Sequence, residues 1–355
     1  MQKKNKKQFS NLSYDIFHER KKKLILIFLF FLLLFSIAVA LTQGVLSISF
    51  PDVYKTLLTH FNPFDSNIEI NRLYDTVIWE IRLPRIILAV FVGIALAISG
   101  AVYQGCFRNP LVEPYILGVE SGAAFGAALA IVIPTFFLSL QISAFIFGII
   151  AVFGAYFLAR ISGETPIVTL ILSGVIIGSV FSALVSILQY ISSDTALRQI
   201  VFWLMGGFYY TTWEDVLYII PVVLICFFSV WILSWKLNVL SMGNDEAKTM
   251  GVNPERFKAI FITFATLATA MCVSAVGVIA WVGLMMPHAA RMILGPDHRY
   301  MLPGAALLGA IYLIVCDTLA RSLTTSEIPV GIITSLLGAP YLIYLIRQKG
   351  TESFG

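Results

Sequence analysis

Long apolar stretches alternate with short charged segments along this chain. A helix needs about 20 apolar residues to cross the hydrocarbon core of a bilayer. Reading from charge to charge gives ten stretches that can do so. They are 24–43, 86–107, two within 121–159 separated by a polar break near 134–141, 165–193, 216–235, two within 259–290 with a turn at 276–277, 301–320 and 329–346. The pattern predicts an all-α, polytopic membrane protein of about ten transmembrane helices.

Composition agrees with lipid as the main solvent. The 355 residues are 58% hydrophobic and only 12% charged, whereas a soluble domain carries roughly 25% charged residues. The four cysteines are far apart and form no cluster with histidine, so neither a metal site, nor another cofactor, nor a disulfide framework is expected. No extended basic run with interleaved aromatic residues follows the N-terminal tail, which argues against a nucleic-acid partner.

The distribution of positive charge predicts the orientation. With the N-terminus in the cytoplasm, 18 of the 24 lysines and arginines lie in inner segments, as the positive-inside rule requires. This gives a cytoplasmic tail, 1–23, and a permease domain, 24–349, whose C-terminus is also cytoplasmic, in the cell membrane. A signal peptide is the alternative for the first apolar stretch, but the preceding polar segment is long for one. The outer segment 44–83 has room for a short surface helix.

Small residues recur at every fourth position of several predicted spans. Residues four apart share a helix face, and small side chains let helices approach closely in lipid. Packing is the default interpretation of the rows that begin at Gly93 and Gly118. A third row is more polar, with serine and glutamine around it, and packing and a translocation path are equally good interpretations there. The third row consists of Gly174, Gly178, Ser182 and Ser186, and Ser173 lies next to it in the sequence.

The chain carries no motif that would let it use ATP itself. A phosphate-binding GxxxxGK[ST] loop and the HExxH and GxSxG motifs are all missing from the sequence. Ion-coupled carriers place carboxylates or histidines deep within their helices, whereas the centres of these spans are nearly free of charge. The sequence therefore predicts a pathway driven from outside the chain rather than an enzyme.

Two polar clusters are candidate interaction sites. The inner segment 238–256 reads NVLSMGNDEAKTMGVNPER, in which Ser241 and Asn244 suit helix caps, Gly251 a helix stop and Pro254 the next start. Short surface helices and a solvated loop are equally good interpretations of this pattern. The second cluster is positive charge on the outer side, consisting of Arg82, Arg85 and Arg321. Docking of an acidic partner competes here with local pairing to Glu80 and Asp317.

Several long strings resemble one family. They are RLPR at 82–85, GIALAISGAVYQGCFRNPLVEPYILGVESGA at 93–123, LRQIVFWLMGGF at 197–208, GVIAWVGLMMPHAARMILGPDHRYMLPG at 277–304 and EIPVGIITSLLGAPYLIYLI at 327–346. In this order they resemble the FecCD-type permeases of type II ABC importers, which serve iron–siderophore, haem and cobalamin uptake. The cobalamin permeases are close on several of these strings. One departure is Glu120, where many members have a small residue.

The resemblance implies a permease fold of ten helices per subunit. It implies a second permease subunit, most simply a homodimer, two ATPase subunits on the inner face and a substrate-binding protein outside. Outer docking falls on Arg82, Arg85 and Arg321, and the third small-residue row becomes a path at the dimer axis. The coupling helices fall at about 241–257, with contacts expected at Ser241, Met242, Gly243, Glu246, Ala247, Met250 and Gly251.

The resemblance leaves the cargo open. Ferric siderophore is the first expectation, and haem, cobalamin and molybdate or tungstate are the alternatives. An ion-coupled secondary transporter and a membrane scaffold without a path are the competing protein classes. The first would need an essential carboxylate inside a span, and the second would tolerate bulky residues at Gly174 or Gly178.

Overall fold

The structure is a computed structural model that describes the backbone of residues 2–61, 71–324 and 326–349, and the side chains of 19–60, 71–324, 326–343 and 347. Every named element of these ranges is a helix. The elements are α1 Gln2–Thr42, α2 Phe50–Phe61, α3 Arg72–Asp75, a π-helix Thr76–Arg82, α4 Leu83–Phe107, α5 Val119–Val132, α6 Leu140–Ala159, α7 Ile167–Ile191, α8 Asp194–Met205, α9 Trp213–Ile232, α10 Ser234–Met242, α11 Asn244–Thr249, α12 Pro254–Val276, α13 Val282–Leu294, α14 His298–Ser322 and α15 Val330–Lys349.

The helices confirm the predicted all-α membrane architecture. Within the described residues, seven stretches are long and apolar enough to cross a bilayer, and three shorter apolar helices, α5, α13 and part of α15, bring the set to ten. The two predicted breaks are present, one between α5 and α6 and the other at Gly277 after α12. The first span is the part of α1 from Glu19 to Thr42, so the predicted tail and first span belong to one helix. The short helix α2 lies in the predicted outer segment.

Helix α4 forms the centre of the bundle, and glycine brings its neighbours close. A Cβ atom at Gly93 would lie 2.4 Å from the carbonyl oxygen of Gly309, and one at Gly100 would lie 1.7 Å from that of Gly283. Both distances are far below van der Waals contact, so α13 and α14 can approach α4 only because these positions lack side chains. This agrees with the packing interpretation of the row that begins at Gly93.

The two ends of α4 define two ends of the molecule. Arg85 lies in its first turn, and Gly105 near its last turn accepts a hydrogen bond from Ser241 of α10. The 25 residues of α4 span about 37 Å at 1.5 Å per residue. We call the end with Arg85 the arginine end and the end with Ser241 the coupling end. The two predicted interaction clusters therefore lie on opposite faces of the bundle.

Candidate functional site

The three predicted docking arginines lie together at the arginine end, where they are buried. Arg85 donates from Nε to Asp317 Oδ1 at 2.8 Å and from Nη1 to Glu327 Oε2 at 2.7 Å. Arg321 lies 3.1 Å from the second oxygen of Asp317. Only 1% of the Asp317 side chain is exposed, against 36% for Glu327. The cluster therefore joins α4, α14 and the segment before α15 around one buried carboxylate.

Arg82 and Arg321 also hold the end of α1. Arg82 Nη1 donates to the carbonyl of Leu41 at 2.7 Å, and Arg321 Nη2 donates to that of Ala40 at 3.0 Å. The local pair predicted for Asp317 and Arg321 is present, whereas Arg82 bonds main-chain carbonyls and forms no ion pair with Glu80 among the described residues. All three arginines thus have partners within the chain, and docking on them remains a prediction that requires these contacts to loosen.

The predicted coupling helices fall at about 241–257, which we call the coupling segment. It contains one complete short helix, α11, between two glycines. Gly243 and Gly251 have φ values of +149° and +74°, a region that L side chains avoid. After α11, the amide of Gly251 donates to the carbonyl of Lys248 and that of Val252 to the carbonyl of Ala247. These two bonds form a Schellman motif. The predicted helix stop at Gly251 is therefore present, and α11 ends in a fixed geometry.

The predicted helix caps at Ser241 and Asn244 differ from the structure. Ser241 lies inside α10 and donates to the carbonyls of Leu237 and Gly105, while Asn244 is already the first residue of α11. Gly243 precedes α11 without a side-chain cap. The reason is that α10 continues to Met242, so the Ser241 hydroxyl lies within a helix and bonds the carbonyl of Leu237 at 2.8 Å, with that of Gly105 on α4 at 3.3 Å. The cap that does form is Asn253, which accepts from the amide of Arg256 at the start of α12.

Two methionines of the coupling segment have exposed side chains. Met242 is 61% exposed and Met250 is 47% exposed, and Glu246 also faces solvent. Ala247 and Val252 are buried beneath them. Methionine is flexible and polarizable, which suits contact surfaces that must adapt. The residues predicted for coupling therefore divide into a buried base and an exposed surface that carries Glu246 and two methionines.

Two polar networks fix this segment to the bundle. In the first, Asn238 of α10 donates to Asp297 at 2.8 Å and accepts from the amide of His298 at 2.9 Å. Burial opposes ionisation of Asp297, but hydrogen bonds from Arg299 and Asn238 outweigh it and lower its pKa to about 2. The sequence around Asn238 does not predict this hydrogen bond, because Asp297 is 59 residues away in the chain.

The second network joins α12 to the chain just before α7. Glu255 Oε2 accepts from the backbone amide of Thr165 at 2.9 Å and also from its hydroxyl. Lys258 donates to Glu255 Oε1 at 3.0 Å and to the carbonyl of Thr165 at 3.4 Å. Thr165 and Lys258 are 1% and 2% exposed. The sequence indicated only the helix start at Pro254, and it gave no signal that Lys258 points inward.

An open cavity lies beside this second network. Its volume is about 850 Å³, and polar and charged side chains from the α6–α7 connection and from α11 and α12 line it, among them Arg160, Glu164, Lys248 and Arg256. Lys248 and Glu164 approach across it to 3.5 Å. The coupling segment and the α6–α7 connection are therefore separated by solvent-accessible space and are bridged by polar contacts.

The predicted path residues lie on α7, the least buried of the seven long apolar spans. Only 17% of its most apolar window is buried, compared with 83% for the stretch that contains α4. Gly174 packs against the main chain, since a Cβ there would lie 2.2 Å from the carbonyl oxygen of Ile116, and Ser173 is buried next to it. Gly178 has more room, with Ser121 Oγ at 3.6 Å. The row thus begins in a packed contact with the segment before α5.

The side chains at the other end of this row, Ser182 and Ser186, are exposed. Ser182 donates to Ser121 at 3.3 Å, and Ser186 donates to the carbonyl of Ser182 at 3.0 Å. Both hydroxyls lie on exposed side chains of α7. A path along α7 remains a prediction, and within it Ser182 and Ser186 are the members whose side chains are accessible in a single chain.

Comparison with known proteins identifies the family. The model of the FecCD transport family matches residues 32–348. The cobalamin import system permease protein BtuC of Halobacterium salinarum is 44% identical over 77% of this chain and 74% of its own length. The molybdate import system permease protein MolB of Haemophilus influenzae is 41% identical over 90% of this chain and 95% of its own length.

A solved structure agrees with the sequence comparison. An ABC transporter assigned to the metal-chelate type, in an inward-facing conformation, superimposes with a TM-score of 0.81 at 39% identity, over 91% of this chain and 99% of that one. The chain therefore belongs to the FecCD transport family and is an integral membrane permease of an ABC importer.

Proposed function

We propose that this permease moves a metal chelate into the cytoplasm, powered by two ATPase subunits that dock on the coupling end. In this proposal the coupling end and both termini face the cytoplasm of the cell membrane. A binding protein delivers the chelate at the arginine end, and two copies of the chain enclose the path between their α7 helices. Support for the inner face comes from its share of lysine and arginine, since positive residues favour the cytoplasmic side.

The observation that carries the proposal is the form of α11. Its base is buried and its end is closed by two backbone hydrogen bonds. The exposed side chains of Met242, at the end of α10, and of Met250, directly after α11, flank it. A rigid element with an apolar tip can transmit a displacement of a partner into the bundle, as rigid-body transitions between packed elements require. The chain has no phosphate-binding motif of its own, so the energy enters through such a contact.

Replacing the two methionines tests the ATPase contact. M242D/M250D places charge in the proposed apolar interface, and we expect at least a tenfold weaker association with the ATPase subunits in a pull-down from detergent. T249A is the control, because Thr249 is exposed in α11 between the two methionines and its hydroxyl bonds to the carbonyl of Glu246. Equal ATPase binding by M242D/M250D and wild type would show that docking lies elsewhere.

A second experiment addresses the arginine end. Exchange of Arg82 and Arg85 for glutamate should weaken association of the binding protein, more strongly at low salt, where charges are least screened. R72E is the control, since Arg72 is exposed at the same end. Thermal melting must accompany the measurement because both target side chains are buried and paired. Unchanged association with altered stability would assign these arginines to the fold alone.

The cargo is tested by uptake rather than by resemblance. Similar identities to a cobalamin permease and a molybdate permease, 44% and 41%, leave ferric siderophore, haem, cobalamin and molybdate as candidates. Proteoliposomes that contain the permease, its ATPases and its binding protein should accumulate one of these, each offered in radiolabelled form, only when ATP is supplied. Accumulation by the permease alone, driven by an ion gradient, would contradict the proposed importer.

A further inference from the structure

We infer that Glu255 and Lys258 form a clamp on Thr165 that carries displacement of the coupling segment to the start of α7. The inference rests on the proposed function, because it takes α11 as the place where the ATPases act. It assigns Glu255 and Lys258 as positioning residues that connect α11 to α7, the helix proposed to line the path. The clamp consists of two side chains in the first two turns of α12 and the main chain of Thr165, which lies just before α7.

The clamp holds the peptide groups on both sides of Thr165. The amide of Thr165 donates to Glu255, and the carbonyl of Thr165 accepts from Lys258. The hydroxyl of Thr165 adds a third bond to Glu255, and the two charged side chains bond each other at 3.0 Å. Pro166 follows directly and is the residue from which α7 starts. The entry to α7 is therefore fixed in position and direction relative to α12.

Burial makes the clamp stiff. The ammonium group of Lys258 and the Thr165 main chain have little access to water, so breaking these bonds would leave buried polar groups without partners, which is costly. The surface pair Lys248–Glu164 also reaches the α6–α7 connection, from α11 rather than from α12, but both of its side chains are more than half exposed. Exposed pairs of this kind contribute little. The buried clamp is thus the stronger of the two connections.

The route from α11 to α7 is short. The Schellman motif that follows α11 reaches to Val252, and Asn253 caps α12, so only two residues stand between Val252 and Glu255. An open cavity, rather than apolar packing, separates α11 from the α6–α7 connection. α7 itself packs on α5 and α6. The alternative routes to α7 therefore run indirectly through α5 and α6, against both of which α12 also packs.

A distance measurement in the intact complex tests the clamp. Spin labels at Arg256→Cys and Val168→Cys, two exposed positions on either side of it, report the distance between α12 and α7 in the complex with the ATPases and binding protein. We expect this distance to stay within about 2 Å when ATP binds, because the two helix starts move together as a rigid unit. A change of several ångströms between the two labels would overturn the inference.

A variant separates transmission from assembly. E255M/K258M removes both charges at similar volume and leaves no buried charge unpaired. Thermal melting accompanies the measurement, because the amide, hydroxyl and carbonyl of Thr165 lose these partners. We expect normal ATPase binding and basal hydrolysis, but about tenfold less uptake per ATP hydrolysed. E164Q/K248Q is the matched control on the same segments, and its uptake should stay within twofold of wild type. Wild-type uptake per ATP in E255M/K258M would overturn the clamp, whereas the proposed docking on α11 would stand as long as the ATPases bind.

Discussion

Asp317 accepts a hydrogen bond from Arg85 at 2.8 Å although 232 residues separate the two in the chain. The contact joins the first turn of α4 to the last part of α14, and Arg321 lies 3.1 Å from the other oxygen of the same carboxylate. One buried acid therefore serves two buried guanidinium groups. Arg321 continues the connection to the end of α1 through the carbonyl of Ala40.

Removing this acid should strongly destabilise the arginine end. D317N leaves two guanidinium groups buried without their shared counterion, and breaking a buried ion pair in this way costs about 3–5 kcal/mol. We expect a clearly lower melting temperature in detergent and a lower yield of folded protein. E327Q is the control, because Glu327 is partly exposed and its ion pair among the described residues is with Arg85 alone. Equal melting of D317N and wild type would show that the pair contributes nothing to stability.

The sequence predicted the spans well for a simple physical reason. Lipid excludes charge, so each crossing leaves an uncharged stretch in the sequence. The break between α5 and α6 and the turn at Gly277 were visible for the same reason, because polar or glycine-containing residues interrupt the apolar pattern. The bonds of Arg82 to the carbonyls of Leu41 and Leu46 were not visible. A main-chain partner has no side chain by which a sequence could reveal it.

Two glycines of the third small-residue row should respond differently to alanine. A Cβ at Gly174 would lie 2.2 Å from the carbonyl oxygen of Ile116, whereas at Gly178 the nearest atom is 3.6 Å away. Overpacking typically costs about 1–3 kcal/mol, so G174A should lower both melting temperature and uptake. G178A should leave stability unchanged or slightly raised, because alanine favours the helix. Equal effects of the two variants would contradict this packing of α7.

The coupling segment shows where prediction from sequence stops. Gly251 and Pro254 are local signals, and the helix stop and start that they predict are present. The roles of Asn238 and Lys258 depend on partners 59 and 93 residues away. Their side chains resemble ordinary solvated polar residues until the tertiary fold places them. Local spacing therefore indicates that short helices form here, and only the fold shows how they are attached.

The helix stop at Gly251 allows a test with two substitutions. Its φ of +74° costs a β-branched residue roughly 1–2 kcal/mol, while asparagine adopts such conformations more readily. No atom lies within 4 Å of a Cβ built at this position, so steric clash does not complicate the comparison. We expect G251V to reduce uptake per ATP hydrolysed and G251N to retain most of it. Similar uptake by both variants would show that the geometry of this stop is unimportant for coupling.

The network at Asp297 predicts a pH-dependent contribution to stability. Its pKa of about 2 lies below the ordinary value near 3.9, so the stabilisation is complete above about pH 4 and is lost as pH falls towards 2. Because the group is partly exposed, we expect only about 1 kcal/mol at neutral pH. Thermal melting of D297N in detergent should show a deficit at pH 7 that disappears by pH 2. R299Q, which removes the main partner of this carboxylate, should reproduce most of that deficit. A deficit in D297N that is constant over the whole pH range would mean that the ionised carboxylate is not what holds α10 to α14.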